Sequence, residues 1–268
     1  MNESVNRAFL YGESVFTTMR MIDGHACDWE MHFDRMKRGI DFLYGPFIES
    51  ESDNWVQMLK EKLENHWKRE SANKVIRLTV YLEQARGLKQ SSHLSVNDLR
   101  IFMDASPLNP TQLETKTISL RTCPALLRPS WWPAYLKAGN YLDTILAQKL
   151  YLQEGDDDLL FLSQRDTVLE SSVANIFIVR HDKIYTAPLG PNVLDGVMRK
   201  KVLGHARDFF ADCLEHETNV EQLSKADGIF GSNSIRGIFL VDRLDGSEIK
   251  YTQSFLDNFE EFRKRVLV

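Results

Sequence analysis

Residues 106–114, SPLNPTQLE, form the strongest break in the hydrophobic pattern of this 268-residue chain. Two prolines lie there, with serine and asparagine, between two strand-like stretches, and proline cannot donate the backbone hydrogen bond that regular structure requires. A chain of this length also exceeds one comfortable hydrophobic core. We therefore predict two domains, a small N-terminal α/β domain in residues 1–110 and a larger, sheet-rich α/β domain in residues 111–268.

The apolar residues of the N-terminal region repeat with two different periods. Residues 28–43 and 52–67 carry large apolar side chains at three- and four-residue spacing, which predicts two amphipathic helices. In KVIRLTVYL, residues 74–82, apolar and polar residues alternate as in a half-buried strand, and RIFMDA is predicted to be its partner. The region is thus predicted to be mixed α and β.

The C-terminal region is predicted to contain more sheet. KTISLR reads as one strand, residues 158–187 as three or four strands joined by the turns SQRD and RHDK, and residues 227–241 as two strands around a turn of small residues. Three helices are expected: one with Leu142, Ile145, Leu146 and Leu150 on one face, one that begins at LDGVMR with Asp195 as its cap, and one at the C-terminus.

Composition and charge exclude several classes of protein. Hydrophobic residues make up 43% of the chain and charged residues 26%, which is ordinary for a globular protein. The net charge of −5 and the absence of a dense Lys/Arg cluster exclude nucleic acid as an expected partner. No apolar stretch approaches the roughly 18 residues of a membrane helix, and the N-terminus lacks a signal-peptide pattern, so we expect no membrane association and a cytoplasmic location.

The three cysteines give no sign of a disulfide framework or of a metal site. Cys27, Cys123 and Cys213 lie far apart, without paired spacing and without a histidine cluster nearby. We expect three buried or half-buried thiols and no metal.

Lys137 is the first candidate for chemistry. A lysine at a helix entrance is ordinarily a solvated surface residue, but this one follows the bulky segment RPSWWPAYL. Aromatic walls formed by Trp131, Trp132 and Tyr135 would favour the neutral amine, which is the form that makes an imine with an aldehyde cofactor. Pyridoxal phosphate would also need a carboxylate at its pyridine nitrogen and donors for its phosphate. Glu170 and the start of the DGVMR helix are candidates for these two roles.

Seven segments give these candidates a common context. YGESVFTTMRMIDG, HFDRM, KAGNYL, LESSVANIF, TAPL, LDGVMR and FGSNSIRGIFLV resemble, in the same order, the motifs of the class IV (fold type IV) pyridoxal-phosphate enzymes, from about residue 9 to residue 245. That family contains branched-chain aminotransferases, D-amino-acid aminotransferases and 4-amino-4-deoxychorismate lyases. The resemblance implies a two-domain α/β (α+β) fold like that of D-amino-acid aminotransferase, with pyridoxal 5′-phosphate at the domain interface.

The resemblance also implies individual roles. Lys137 would bind the cofactor aldehyde, and Glu170 would face the pyridine nitrogen. The phosphate would be held by Arg35, the backbone of Val197 and Met198, and Ser234. A homodimer is implied as well, with each active site completed by a loop of the other subunit. Taken singly, these residues have ordinary interpretations: a solvated glutamate, a surface arginine and a helix entrance.

Three departures from the aminotransferase pattern favour a lyase. Phe16-Thr17-Thr18, Met198 before Arg199, and Asn233 each resemble aminodeoxychorismate lyases, whereas KAGNYL has branched-chain aminotransferase character. The lyase would release pyruvate from 4-amino-4-deoxychorismate to give 4-aminobenzoate, the folate precursor. Lys137 would act as general base, and the Thr18 hydroxyl could relay a proton to the leaving side chain.

Two further residues are candidates for substrate binding. Arg86 could bind a carboxylate through two parallel hydrogen bonds, or it could be a solvated loop residue. Asn233 could bind substrate or serve only as a turn residue. His32 lies on the apolar stripe of the first helix, so we expect a packed, hydrogen-bonded histidine there. Besides the lyase, a D- or branched-chain amino acid aminotransferase and a non-catalytic binding protein of the same fold stay open.

Overall fold

A computed structural model describes residues 6–45, 52–67, 73–83, 94, 96–110, 117–124 and 130–267. Contacts group the chain into two compact units, Met1–Asn109 with Tyr135–Tyr141, and Pro110–Ala134 with Leu142–Val268. The segment that carries Lys137 therefore groups with the first unit. A single junction within residues 106–114 would instead place this segment in the second domain. The two-domain boundary itself stays a prediction.

The first unit contains a four-stranded antiparallel sheet in the order β2-β1-β3-β4. Both predicted long helices and both predicted strands are confirmed. The elements are α1 (Arg7–Tyr11), β1 (Ser14–Ile22), β2 (His25–Ala26), α2 (Trp29–Tyr44), α3 (Ser52–Trp67), β3 (Lys74–Leu82) and β4 (Leu99–Pro107).

Strand β1 presents two faces with different neighbours, because successive side chains of a strand point to opposite sides. Val15 and Thr17 face α2: Val15 lies against Gly39, and Thr17 hydrogen-bonds to His32. Phe16 and Thr18 are therefore on the opposite face of the sheet. The apolar stripe of α2 that the sequence predicted is buried, at Trp29, Phe33, Met36 and Ile40.

The second unit contains a nine-stranded sheet that closes on itself. Strands β8, β11, β12, β5, β6 and β7 are paired in that order, and β7 pairs back with β8. The elements are β5 (Thr117–Pro124), α4 (Leu142–Tyr151), β6 (Asp158–Leu162), β7 (Val168–Ser171), β8 (Asn175–Arg180), β9 (Lys183–Thr186), α5 (Val197–His205), β10 (Asp212–Glu215), α6 (Val220–Leu223), β11 (Gly228–Asn233), β12 (Gly237–Leu244), β13 (Ser247–Glu248) and α7 (Gln253–Leu267).

Alternate residues of these strands enter two apolar clusters. Phe177 and Phe230 stack with their ring centroids 4.8 Å apart, in a cluster that also includes Met198 of α5 and Phe259 of α7. The neighbouring residues of the same strands, Ile176 before Phe177 and Ile229 before Phe230, belong to the second cluster. Because successive side chains of a strand point to opposite sides, the two faces of these strands each fill a different apolar cluster.

The apolar face of α4 is exposed. Leu142, Ile145, Leu146 and Leu150 retain between 45% and 76% of their accessible surface, and Ala147 is the buried residue of this helix. Helical spacing predicts that such residues share a face, but it does not say what covers that face. A contiguous group of exposed apolar side chains marks an interaction surface more often than a single exposed leucine does.

The start of α5 differs from the sequence prediction. We expected Asp195 to cap this helix, and that was wrong, because the helix begins one residue later with Gly196 at the capping position and no side-chain cap. Asp195 instead forms an ion pair with Lys200, at 3.1 Å between Oδ2 and Nζ. The helix ends at His205 and continues as a short 3₁₀ turn over Ala206–Asp208.

The described part of the chain contains neither a membrane-spanning helix nor a metal-binding cluster of side chains. None of its helices combines the length and the apolar character needed to span a bilayer. No group of three or more histidine, cysteine, aspartate or glutamate side chains within the described ranges is arranged to hold a metal ion.

Candidate active site

Lys137 lies in a short extended segment that pairs with the start of β1. The Phe16 N–H donates to the Lys137 carbonyl at 2.9 Å, and the Gly139 N–H donates to the Ser14 carbonyl at 3.1 Å. Gly139 is needed for this close approach, because a Cβ there would lie 2.3 Å from Ser14 Oγ. The lysine is therefore fixed by backbone pairing to the first unit.

The Lys137 side chain is half-buried against two aromatic rings. Its Nζ donates to the Tyr141 hydroxyl at 2.9 Å and lies 4.6 Å from the centroid of the Phe16 ring, which is itself buried. The sequence suggested tryptophans for this wall, but Trp131 is 67% exposed. A lysine in these surroundings is oriented and partly shielded from water, unlike an ordinary surface lysine.

Arg77 lies on the same ring and was missed by the sequence reasoning. Its Cζ is 3.6 Å from the Phe16 ring centroid, and the register of β1 with β3 puts Arg77 directly opposite Thr18. The side chain stays accessible to solvent. No carboxylate of the described residues forms an ion pair with Arg77. Its guanidinium is thus a cation that an anionic ligand can reach.

Thr18 shares the sheet face of Phe16, two residues away along β1. Because side chains at i and i+2 of a strand point to the same side, the Thr18 hydroxyl lies on the side of the sheet that carries the Phe16 ring and Arg77. The half-buried Thr18 thus shares its sheet face with the Phe16 ring that Lys137 contacts. Its predicted role as a proton relay stays a prediction.

Arg35 is buried on the other face of β1. Only 4% of its surface is exposed, and one guanidinium nitrogen donates to Thr17 Oγ1 at 3.2 Å. The same oxygen lies 2.7 Å from His32 Nδ1. Burial lowers the pKa of His32 well below 6.5, and the positive charges of Arg35, Lys137 and Arg20 lower it further. The surface interpretation of Arg35 is therefore wrong, while its predicted phosphate contact stays a prediction.

Glu170 is held at the point where the second sheet closes. It faces Asn175 across the β7–β8 pairing, and the Asn175 side-chain amide donates to Glu170 Oε2 at 3.2 Å. The Leu194 backbone N–H donates to the same oxygen at 2.8 Å. Two donors on one oxygen of this half-buried carboxylate fix its orientation. Glu170 is thus not the solvated hairpin residue that it could have been.

Asn175 also contacts the start of α5. Its side-chain amide donates to the Leu194 carbonyl at 2.9 Å, and a Cβ on Gly196 would lie 2.1 Å from Asn175 Oδ1. The next two residues, Val197 and Met198, are almost completely buried. The first turn of a helix leaves backbone N–H groups without intrahelical partners, which favours an anion at this end.

Ser232 is a second residue that the sequence reasoning missed. It lies directly opposite Asn175 in the β8–β11 pairing and is 1% exposed. Its Oγ has no hydrogen-bond partner within the part of the chain that the structure describes. Burying a hydroxyl without a hydrogen-bond partner costs free energy, unless a ligand or a water molecule supplies that partner. The register of the strands, which the sequence does not state, is what brings this hydroxyl beside Asn175.

Three further predicted residues, Asn233, Ser234 and Arg86, have no described side-chain contact with Lys137 or Glu170. Asn233 Oδ1 accepts hydrogen bonds from the backbone N–H groups of Ile235 and Arg236, at 3.0 and 2.8 Å, so this oxygen shapes the turn between β11 and β12. Ser234 is half-buried in the same turn. Arg86 lies outside the described residues. The binding roles of these three residues stay predictions.

Comparisons with known proteins cover nearly the whole chain. The sequence profile of the family described as amino-transferase class IV matches residues 14–244. A probable branched-chain-amino-acid aminotransferase of Thermotoga maritima is 28% identical over 93% of this chain and 86% of its own length. An aminodeoxychorismate lyase of Vibrio harveyi is 24% identical over 91% of this chain and 88% of its own. The crystal structure of 4-amino-4-deoxychorismate lyase from Pseudomonas aeruginosa is similar with a TM-score of 0.82 and 22% identity, over 98% of this chain and 94% of that one.

Proposed function

The chain belongs to the amino-transferase class IV family, whose members depend on pyridoxal 5′-phosphate, and from this premise we propose that it is an aminodeoxychorismate lyase. In this reaction 4-amino-4-deoxychorismate gives 4-aminobenzoate and pyruvate. The observation that carries the proposal is the Thr18 hydroxyl on the sheet face of Phe16, whose ring contacts Lys137. Met198 and Asn233 agree with the lyase motif in the sequence.

The residues present fit the cofactor group by group. Lys137 supplies a shielded primary amine for the aldehyde, and Glu170 supplies an oriented carboxylate for the pyridine nitrogen. The start of α5, next to Gly196, supplies backbone N–H groups for the phosphate. Ser232 adds a buried hydroxyl that lacks a partner among the described residues, and a phosphate oxygen would complete it. We propose that Arg35 and Ser234 also contact the phosphate.

When bound, the cofactor supplies an aldehyde that links to amines and a ring that accepts electron density from the adjoining carbon. Lys137 is proposed to accept the proton from the substrate carbon that bears the amino group. The Tyr141 hydroxyl, 2.9 Å from Lys137 Nζ, holds the amine in one orientation, and the buried Phe16 ring keeps water from one side of it.

Thr18 is proposed to deliver a proton to the enolpyruvyl group, directly or through one water. The bond from the ring carbon to the ether oxygen then breaks, pyruvate leaves, and the ring becomes aromatic. The two products together contain every atom of the substrate, so the reaction needs no oxidant and no net water. A hydroxyl is suited to this step because it donates and accepts a proton at the same atom.

Arg77 is proposed to bind a substrate carboxylate. The substrate has two carboxylates, and Arg77 offers an accessible guanidinium on the Phe16 ring, which is also the ring next to Lys137. A guanidinium binds a carboxylate through two parallel hydrogen bonds, which fixes orientation as well as charge. Arg86 and Asn233 are proposed as additional substrate contacts.

An aminotransferase for branched-chain or D-amino acids is the second candidate. The relative from Thermotoga maritima, which is 28% identical, and the segment KAGNYL favour it. Both reactions use the same lysine as general base, so Lys137 does not discriminate between them. A non-catalytic binding protein is the least supported candidate, because the family's lysine and glutamate are both present at positions 137 and 170.

A homodimer is part of the proposal. The exposed apolar face of α4 supplies a surface that a second copy of the chain would cover. A loop of the second copy would complete the site, as the family resemblance implies.

One coupled measurement tests the function. The purified protein is loaded with pyridoxal 5′-phosphate and given enzymatically generated aminodeoxychorismate, while pyruvate and 4-aminobenzoate are followed together. Equimolar release of both products is the expected result, and Lys137→Ala is expected to abolish it together with the visible absorption of the lysine-bound cofactor. Lys183→Ala, at an exposed lysine of β9, is the matched control. Release of neither product, with transfer of an amino group from leucine or D-alanine to 2-oxoglutarate, would establish the aminotransferase instead.

A further inference from the structure

We propose that His32 is a positioning residue for Arg35 and acts through the hydroxyl of Thr17. The inference rests on the proposed function, in which Arg35 binds the cofactor phosphate. His32 and Arg35 are three residues apart on α2, so their side chains lie on one helix face, and that face packs on β1 where Thr17 points. All three side chains are at most 4% exposed.

The direction of each hydrogen bond in this group follows from its chemistry. A guanidinium can only donate, so Thr17 Oγ1 accepts from Arg35 over the 3.2 Å contact. The Thr17 hydroxyl proton is then free to point at His32 Nδ1, 2.7 Å away, provided that this nitrogen carries no proton. The chain of donation therefore runs from Arg35 to Thr17 to His32.

The surroundings of His32 keep its ring neutral. The imidazole is 1% exposed, and the charged groups that act on it, Arg35, Lys137 and Arg20, are all positive. A second positive charge would be unfavourable there, so Nδ1 remains an acceptor. An acceptor at this place is what orients the Thr17 hydroxyl.

The orientation of the Thr17 hydroxyl determines how well its oxygen accepts the hydrogen bond from Arg35. With its proton directed to His32, Thr17 presents oxygen lone pairs to the guanidinium and fixes one of its nitrogens. The fork of the guanidinium then has a single orientation for an anion. Without the acceptor, the hydroxyl can rotate its proton toward Arg35, which weakens this contact to the guanidinium.

Two variants of His32 separate this role from simple packing. His32→Asn keeps a polar atom near the Nδ1 position, whereas His32→Leu fills similar space without an acceptor. Thr17→Val and Thr17→Ser make the same comparison at the middle residue, because valine matches the shape and serine keeps the hydroxyl. His25→Leu, at an exposed histidine of the same unit, is the control.

The readout is the phosphate preference of the apoprotein. Dissociation constants are measured by spectral titration for pyridoxal 5′-phosphate and for pyridoxal, which lacks the phosphate. The constant for pyridoxal divided by the constant for pyridoxal 5′-phosphate is the ratio compared between variants, and it is larger when the protein binds the phosphate more strongly. We expect His32→Leu and Thr17→Val to lower this ratio roughly tenfold, in line with weakening one hydrogen bond to a charged group. His32→Asn, Thr17→Ser and His25→Leu should keep it within about twofold of the wild-type value, by the same scale. A general loss of stability would weaken both ligands equally and leave the ratio unchanged.

The variant Arg35→Gln distinguishes the proposed phosphate contact of Arg35 from the proposed positioning role of His32. If this variant keeps the wild-type ratio, Arg35 does not bind the phosphate, and that part of the proposed function fails. If Arg35→Gln lowers the ratio while His32→Leu and Thr17→Val do not, the phosphate role holds and the positioning role of His32 is refuted. If His32→Leu does not fold, Thr17→Val decides the question, because it removes the same link without touching the histidine.

Discussion

Gly196 approaches the side chain of Asn175 more closely than any other residue type could. A Cβ at position 196 would lie 2.1 Å from Asn175 Oδ1, inside the contact distance of the two atoms. Asn175 in turn holds Glu170 through its amide group. The glycine thus joins the start of α5 to the carboxylate that we assign to the cofactor ring.

Gly196→Ala is expected to destabilise the protein and to disturb Glu170. The methyl group would push the carboxamide of Asn175 away, because the contacting atom belongs to a buried side chain with two hydrogen bonds of its own. We expect a loss of about 1–3 kcal/mol in the free energy of unfolding, measured by urea denaturation. Gly204→Ala in the same helix meets nothing within 4 Å and should stabilise by roughly 0.5–1 kcal/mol. Equal effects of the two substitutions would contradict the packing seen at Gly196.

Thr18→Val is expected to slow pyruvate release and to leave substrate binding almost unchanged. Valine keeps the shape and the strand preference of threonine but removes the hydroxyl, so only the proton transfer should suffer. A reduction in kcat of roughly 100-fold or more is expected for a lost acid–base group. Thr18→Ser should recover most of the activity in the coupled assay. A valine variant with the wild-type kcat would remove Thr18 from the mechanism.

Arg77→Gln is expected to raise KM more than it lowers kcat. The guanidinium should bind a substrate carboxylate equally in the ground state and in the transition state, and such uniform binding appears mainly in KM. We expect an increase of roughly 10- to 100-fold, the usual worth of a charge-assisted hydrogen-bond pair. Arg100→Gln, at an exposed arginine of β4, should leave KM unchanged. The same small effect at both positions would show that Arg77 does not meet the substrate.

Leu146→Glu in α4 is expected to convert a dimer to a monomer. A charge in the centre of the exposed apolar face would have to be buried without a partner if a second copy covered it. Sedimentation velocity measures the change directly. Glu154→Gln, just beyond the same helix on an exposed position, is a control that should leave the mass unchanged. A wild-type protein that sediments as a monomer at all concentrations would refute the dimer.

Acid is expected to destabilise the protein partly through His32. The pKa of His32 in the folded protein lies well below 6.5, so between that value and pH 6.5 the unfolded chain binds a proton that the folded chain does not. Stability should therefore fall as the pH drops below about 6.5, with a contribution of up to about 1.4 kcal/mol per pH unit from this one group. His32→Asn should lack this contribution in urea denaturation at several pH values. A slope in His32→Asn identical to that of the wild type would contradict the assignment.

The elements of the fold were largely readable from the sequence. Period-based reasoning predicted the helices at residues 28–43 and 52–67 and the strand KVIRLTVYL, and the structure confirms them as α2, α3 and β3. These predictions succeed because amphipathic periodicity reflects burial on one face. Asp195 fails as a cap because a helix start is decided by the backbone of a single residue, which composition does not determine.

The site was only partly readable. The order of the motifs directed attention to Lys137 and Glu170, whereas Arg77, Tyr141 and Ser232 were missed. Strand register places Arg77 opposite Thr18 and Ser232 opposite Asn175, and a one-residue shift would turn each side chain to the opposite face. Register is fixed by the packing of the whole sheet, so a single strand does not reveal it. The role of each site residue, the dimer and the cytoplasmic location stay predictions.

The grouping of residues 135–141 with the first unit affects how this protein can be divided. The chain passes between the two units at three places, after Asn109, before Tyr135 and after Tyr141. No single cleavage separates the units, and a polypeptide ending at Asn109 would lack the extended segment that pairs with Ser14 and Phe16. A shortened version that keeps the lysine would have to join Asn109 to residues 135–141 through a new linker. Proteolysis within the chain is therefore expected to yield nicked, associated fragments rather than free domains.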